Sequence, residues 1–266
     1  MEPREADGRG IRGGRPEPAS KSCAEKRINM VIAGIVAGGI GSRMGQNSMP
    51  KQFLKLAGKP IVIHTIEKFL ASPEIDYIVV GVHQDWLHLM SDLTERYFPG
   101  EDRIALTAGG SSRNGTIKNI AEKAKEVYKA GADTILVTHD AVRPFLSLRI
   151  ISDNVEAARQ YGVCDTVFGS TDTIIRSDNQ EYITDVPVRK YMYQGQTPQS
   201  FRLGLFDEVY AGMTAEELEV VTDACKMFFL RGHKVYLVEG EVTNFKITYP
   251  FDLKMAATMM GEYTSD

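Results

Sequence analysis

Residues 31–37 read Val31-Ile32-Ala33-Gly34-Ile35-Val36-Ala37, and the chain then enters Gly38-Gly39-Ile40-Gly41-Ser42-Arg43-Met44-Gly45. A short, unbroken apolar run ending in glycines is what a strand buried on both faces requires, since neither face then meets water. The same signal returns at Tyr77–Val82 (YIVVGV), at 104–107 and at 134–138 (TILVT). Between these runs lie stretches of helical period: Ile61–Leu70, 86–98, 115–128 and Leu148–Tyr161. Strands alternating with helices of this length predict βαβ units, hence an α/β fold built on a mostly parallel sheet with helices on both faces. Right-handed crossovers then place the ligand beyond the carboxyl ends of the strands.

Residues 165–200 break the rhythm. Short β-prone pieces flank the polar turn Ser177-Asp178-Asn179-Gln180, which predicts a projecting two-stranded β-arm over about 170–198. An isolated hairpin is marginal in water, so the arm is expected to pack on something, such as a second subunit. Helices are expected again at 203–210, 216–230 and 251–260, with a strand at 235–238. No internal repeat is present, and 30–266 reads as a single domain. Residues 1–29 are rich in Gly, Pro, Arg and Glu with almost no large apolar residue, and read as a disordered extension or tag.

Charge and composition exclude several classes. The first 29 residues carry a formal +2 against −4 for the whole chain, which leaves −6 on the remainder. An acidic body argues against a nucleic-acid binder, so an anionic ligand must be held by a few placed cations. No apolar run approaches the ~20 residues of a membrane span. Cys23, Cys164 and Cys225 are odd in number and far apart, which fits a reducing, cytoplasmic setting better than a disulfide framework. The five histidines are scattered and offer no metal-site spacing.

Chemistry concentrates at strand ends. The glycine turn after residue 37 lets backbone N–H groups approach an anion, and Arg43 and Lys51 add fixed positive charge beside it. Such charge favours a crowded phosphorus in a transition state over the ground state. A dinucleotide fingerprint is incomplete, because its third glycine position is Met44, and a P-loop lacks its Gly-Lys-Ser/Thr. Asp140, in Thr138-His139-Asp140-Ala141-Val142-Arg143-Pro144, stands where a parallel strand ends and suits Mg2+ or another divalent cation. An ion pair with Arg143 or a helix cap is the competing role. Gly109-Gly110-Ser111-Ser112-Arg113-Asn114-Gly115-Thr116 is compatible both with reading a base and ribose and with simple helix capping. Asp172-Thr173, Arg189, Thr197-Pro198-Gln199, Thr222-Asp223 and 244–248 gain meaning only if the arm and the late strand return to one cleft.

In this order, AGIVAGGIGSRMG with MPKQFL, THDAVRPF, YQGQTPQSF and NFKIT resemble the cytidylyltransferases that act on methylerythritol phosphate or ribitol 5-phosphate. The resemblance runs from Met30 to about Met260, and 192–201 (MYQGQTPQSF) with 222–226 (TDACK) is more similar to the ribitol branch. It implies a Rossmann-like enzyme that transfers CMP from CTP to D-ribitol 5-phosphate, releasing pyrophosphate and forming CDP-ribitol. The alternative acceptor is 2-C-methyl-D-erythritol 4-phosphate, and a non-catalytic nucleotide-binding protein is a more distant one. The resemblance assigns CTP binding to Val36, Ala37, Gly38, Gly39, Gly110, Ser111, Ser112, Arg113, Asn114, Gly115, Thr116 and Ala141. Ala141 departs from the Ser common in the ribitol branch. Arg43 and Lys51 are assigned to the transition state, Asp140 to Mg2+, and Arg189 and Lys246 to the acceptor phosphate. Arg143, Thr173, Thr197 and Thr222 are placed around the acceptor. A homodimer with interlocking arms and a product used in teichoic-acid or capsule assembly are further implications.

Overall fold

The computed structural model describes residues 29–39 and 49–261. Arg43, and all of the predicted 1–29 extension except Asn29, lie outside the described residues. The described residues run through β1 (Val31–Ala37), a 3-10 turn (Lys51–Phe53), the short hairpin β2 (Lys55–Leu56) and β3 (Lys59–Pro60), and α1 (Ile61–Leu70). It continues through β4 (Tyr77–Val82), α2 (Leu87–Tyr97), β5 (Ile104–Ala108), α3 (Arg113–Tyr128), β6 (Ile135–Asp140) and α4 (Leu148–Tyr161). The second half comprises β7 (Val163–Gly169), β8 (Tyr193–Arg202), α5 (Leu203–Ala211), α6 (Ala215–Val220), α7 (Ala224–Leu230), β9 (Tyr236–Glu239) and α8 (Pro250–Met259).

Seven strands form one sheet in the order β5-β4-β1-β6-β8-β7-β9. β5, β4, β1 and β6 are parallel neighbours, β8 runs antiparallel to both β6 and β7, and β9 is parallel to β7. The period of two in the strands sorts the core. Val31, Ala33, Ile35 and Ala37 of β1 face one apolar cluster with α1, α2 and α4. Ile32 faces the other, with Ile117 and Ile120 of α3, Phe206 of α5 and Phe228 of α7. β4 and β6 divide their side chains in the same way, so both faces of the sheet are covered by helices. A third, smaller cluster seats Ala256 and Ala257 of α8 on Leu56, Ile61, Val142 and Ile247.

Two predicted elements differ from the observed ones by more than a residue or two at their ends. The 216–230 helix is in fact α6 and α7, separated at 221–223, because the Asp223 side chain accepts from Lys226 N (3.1 Å) and caps a new helix there. Residues 193–198, predicted within the arm, belong to β8 in the main sheet. The projecting segment, 170–192, carries one isolated antiparallel bridge, Arg176 to Asp185, in place of two strands. Its turn is held by Asn179 Oδ1, which accepts from the N–H of Glu181 and of Tyr182 (both 3.1 Å). Tyr182, Ile183, Val186 and Val188 are exposed, so little burial within this chain supports a longer ladder.

The site is positioned by connectivity. The chain leaves β1 for β4 and β5 on one side, then returns to β6 on the other. The carboxyl ends of β1 and β6 therefore adjoin at the topological switch point, where open α/β sheets bind ligands.

Candidate active site

Val36 pairs with Asp140 across β1 and β6, so the glycine turn and the Asp140 carboxylate start from neighbouring strand ends. A cleft of about 310 Å³ covers this point. It is lined by Val36, Ala37, Gly38, Gly39, Lys51, Gln52, Gly110, Ser111, Ser112, Arg113, Thr116, Asp140, Ala141, Val142 and Lys246. Five separate segments of the chain thus line one cleft. Gln52 and Val142 are additions to the residues singled out from sequence.

Gln52 explains how the turn is held. Its buried Nε2 donates to the carbonyls of Ala37 (2.8 Å) and Gly39 (3.0 Å), tying Lys51 and the 3-10 turn to the start of the glycine segment. Opposite, Thr116 Oγ1 accepts from Gly110 N and donates to Ser112 O (both 3.0 Å). Ser112 Oγ accepts from Gly115 N (3.0 Å) as the N-cap of α3. A Cβ on Gly110 would sit 2.5 Å from the carbonyl carbon of Gly115, so only glycine fits this close approach. Capping and cleft-lining therefore coexist in 109–116, and the 16-residue helix presents its N-terminal end at the rim.

Asp140 is the one carboxylate among the lining residues. Its Oδ1 accepts from Arg113 Nε (3.2 Å), and its Oδ2 faces Lys246 Nζ (2.9 Å) and Arg143 Nε (3.6 Å). Burial by itself would raise this carboxyl, but Arg113, Lys246 and Arg143 outweigh it and hold Asp140 well below the usual carboxylate range. The ion pair with Arg143 is thus present. The helix-cap role is not, since Ser147 caps α4.

A residue that sequence reasoning left aside, His139, organises the floor. Asp140 N donates to Thr197 Oγ1 (3.2 Å), which directs the threonine proton to His139 Nδ1 (2.9 Å) and assigns the imidazole proton to Nε2, facing Arg143 O (3.1 Å). Burial lowers the His139 pKa to about 3, so it is a neutral bridge at physiological pH. Thr197 is buried with its hydroxyl spent in this network, away from the cleft lining. Arg143 is likewise buried, its Nη1 donating to Asn244 O (2.7 Å). Asn244 Nδ2 donates in turn to Thr197 O (2.8 Å), which anchors the loop that carries Lys246.

The remaining candidates lie elsewhere. Asn114 Nδ2 donates to Val221 O (2.7 Å) and ties α3 to the break between α6 and α7, while Gly115 is spent in the cap. Thr222 is exposed beside that break. Thr173 and Arg189 are exposed on the arm, and Arg189 Nη1 donates to Thr171 O (3.1 Å). Ala141 lines the cleft, with both backbone groups spent on Val36 O (3.1 Å) and Thr65 Oγ1 (2.9 Å).

A glycine turn, a lysine, two further cations and a single carboxylate at the switch point of a parallel sheet define a nucleotide-handling α/β transferase. The sequence model of the IspD family, 2-C-methyl-D-erythritol 4-phosphate cytidylyltransferase, matches residues 31–262, and the chain belongs to this family of cytidylyltransferases. The chain is 49% identical over 232 residues to the ribitol-5-phosphate cytidylyltransferase of Streptococcus pneumoniae strain D39, covering 87% of this chain and 99% of the relative. Among solved structures, the 4-diphosphocytidyl-2C-methyl-D-erythritol synthase of Anaerococcus prevotii superposes with a TM-score of 0.72 at 26% identity, over 88% of this chain and 99% of that one. The Francisella tularensis 2-C-methyl-D-erythritol 4-phosphate cytidylyltransferase does so with a TM-score of 0.70 at 26% identity, over 86% and 98%. Among the described residues, no helix is long and apolar enough to cross a membrane.

Proposed function

We propose that this chain transfers the cytidylyl group of CTP to D-ribitol 5-phosphate, giving CDP-ribitol and pyrophosphate. The observation that carries the acceptor is the 49% identity to a ribitol-5-phosphate cytidylyltransferase along 99% of its length, against 26% for the two methylerythritol enzymes above. In this reading an oxygen of the acceptor phosphate attacks the α-phosphorus, and the bond to the bridging oxygen of the β-phosphate breaks. The acceptor is a dianion near neutral pH and needs no strong base. Catalysis is then positioning and charge neutralisation.

The cleft supports these roles with its own residues. Lys51 lines the cleft together with Gly38 and Gly39, where it would face the phosphates. Arg113 and Lys246, now paired to Asp140, offer cations that a triphosphate and an acceptor phosphate would compete for. Ser111 and Ser112 supply small polar groups at the rim for base and ribose. Mg2+ fits on one condition. A single carboxylate is too few for an all-protein cage, so Asp140 would hold the ion together with phosphate oxygens, as Mg2+ usually binds. Bound there, the ion would neutralise charge on the transferring phosphoryl group.

Arg189 and Thr173 do not line the cleft of their own chain, and in this reading they reach an acceptor when an arm enters a second copy's cleft. The exposed Tyr182, Ile183, Val186 and Val188 support such a homodimer. Replacing Tyr182 and Val188 by Asp is then expected to give monomers by analytical ultracentrifugation, and an unchanged dimer would refute the arm contact. Cytoplasmic residence, where CTP is available, accords with Cys164 and Cys225 being buried free thiols. The product would feed a ribitol-phosphate polymer such as teichoic acid. Pyrophosphate release is measured with CTP and each acceptor in turn. Faster turnover of ribitol 5-phosphate is expected, and preference for 2-C-methyl-D-erythritol 4-phosphate overturns the assignment.

A further inference from the structure

Behind the cleft floor, Gln199 of β8 is fully buried and joins groups of opposite demand. Its Oε1 accepts from Arg113 Nη1 (2.9 Å), while its Nε2 donates to Asp165 Oδ1 (3.0 Å) and Asp223 Oδ2 (2.5 Å). A guanidinium only donates, so the amide oxygen must face Arg113 and its NH2 group the two aspartates. The backbone holds it there, because Gln199 pairs with Thr138 on one side and Asp165 on the other, and Thr138 Oγ1 donates to Gln199 O (2.7 Å). Asp165, Asp223 and Cys225 also form, among the described residues, the group spaced for a metal ion. Both carboxylates already accept from Gln199, and Cys225 Sγ donates to Cys164 O (3.5 Å), so the cluster anchors the amide.

Arg113 stands between two acidic sites. Nε goes to Asp140 in the cleft, Nη1 goes to Gln199, and buried Nη2 has no hydrogen-bond partner. We propose that Gln199 is a positioning residue for CTP: it insulates Arg113 from the Asp165–Asp223 pair and holds the guanidinium at the cleft. Without the amide, the two carboxylates lose their shared donor and become acceptors to which the guanidinium can turn. The assignment of the ligand rests on the cytidylyltransferase reading above; the placement of Arg113 does not.

Three measurements on Gln199→Met, a substitution of similar volume, test it. First, its crystal structure without nucleotide is expected to show Arg113 moved off Asp140 toward Asp165 and Asp223; a guanidinium still bonded to Asp140 overturns the proposal whatever the enzyme's substrate. Second, KM for CTP is expected to rise about tenfold or more, with kcat changed less than threefold, as for loss of a bond to a charged group. Third, Arg113→Ala/Gln199→Met is expected to be no worse in KM than Arg113→Ala alone, whereas a merely structural Gln199 gives additive losses. Should Gln199→Met fail to fold, Gln199→Leu carries the same tests, since it too removes both the acceptor for Arg113 and the donor to the pair. A wild-type KM in that variant would sink the idea. Wild-type protein that releases no pyrophosphate with either acceptor refutes the functional reading alone.

Discussion

Asp140→Asn removes one negative charge from a site that holds three cations. The Asp140 side chain is 9% exposed, with Arg113 at 18%, Arg143 at 10% and Lys246 at 39%. Removing one partner of a buried charged cluster costs about 3–5 kcal/mol, because the others remain without counter-charge. Lys246 relaxes into solvent, which favours the lower end, roughly 3 kcal/mol. A domain of this size loses about 2–4 °C in Tm per kcal/mol, so the free protein is expected to melt roughly 6–12 °C lower at neutral pH. Circular dichroism without nucleotide measures this. The sign reverses for ligand. In EDTA, the freed cations are expected to bind CTP more tightly than wild type by calorimetry, while with Mg2+ present pyrophosphate release falls at least 10²-fold. Because the folded carboxyl lies below its unfolded value, its stabilisation is present above pH ~4 and is lost as pH falls through the lower folded value, so the two proteins converge in acid. A Tm within 2 °C of wild type at neutral pH, with CTP affinity unchanged, would refute the counter-charge argument.

Two further outcomes are expected. Lys51→Ala, on the cleft wall, is expected to lower kcat roughly 10²–10³-fold with little change in Tm; near-wild-type turnover would remove Lys51 from the reaction. Burial, aided by the charge of Asp223, pushes the Asp165 carboxyl up to about 7, so the folded state binds the extra proton and stability falls as pH rises from ~4 to ~7. Asp165→Asn is therefore expected to match wild type near pH 4 and to melt several degrees higher at pH 8, from a penalty of at most about 4 kcal/mol. An equal Tm difference at both pH values would contradict this.

The parallel half of the fold was legible because its strands advertise themselves. β1, β4 and β6 are buried on both faces, and only apolar side chains satisfy that without partners. Ile61–Leu70 and Leu148–Tyr161 were legible to the residue, since one face of each meets the sheet and the period follows. The glycine turn, Lys51, Asp140 and the 109–116 segment converge as their places at strand ends implied.

What sequence did not disclose shares one cause. β8 reads Tyr193-Gln194-Gly195-Gln196-Thr197-Pro198-Gln199-Ser200-Phe201-Arg202, too polar to look like an inner strand, yet Gln196, Thr197, Gln199 and Ser200 are all buried. They lie inside because partners from other elements satisfy them: Glu241 O for Gln196, His139 for Thr197, Arg113 and two aspartates for Gln199, Asn154 for Ser200. Gln52 and His139 escaped notice for the same reason. Sequence by itself determined the apolar strands, the helices that cover them and the glycine-rich exit from β1, because hydrophobic period and backbone freedom are local properties. Only the tertiary structure decided which buried polar groups meet, since a hydrogen bond between residues dozens of positions apart leaves no periodic trace in the chain.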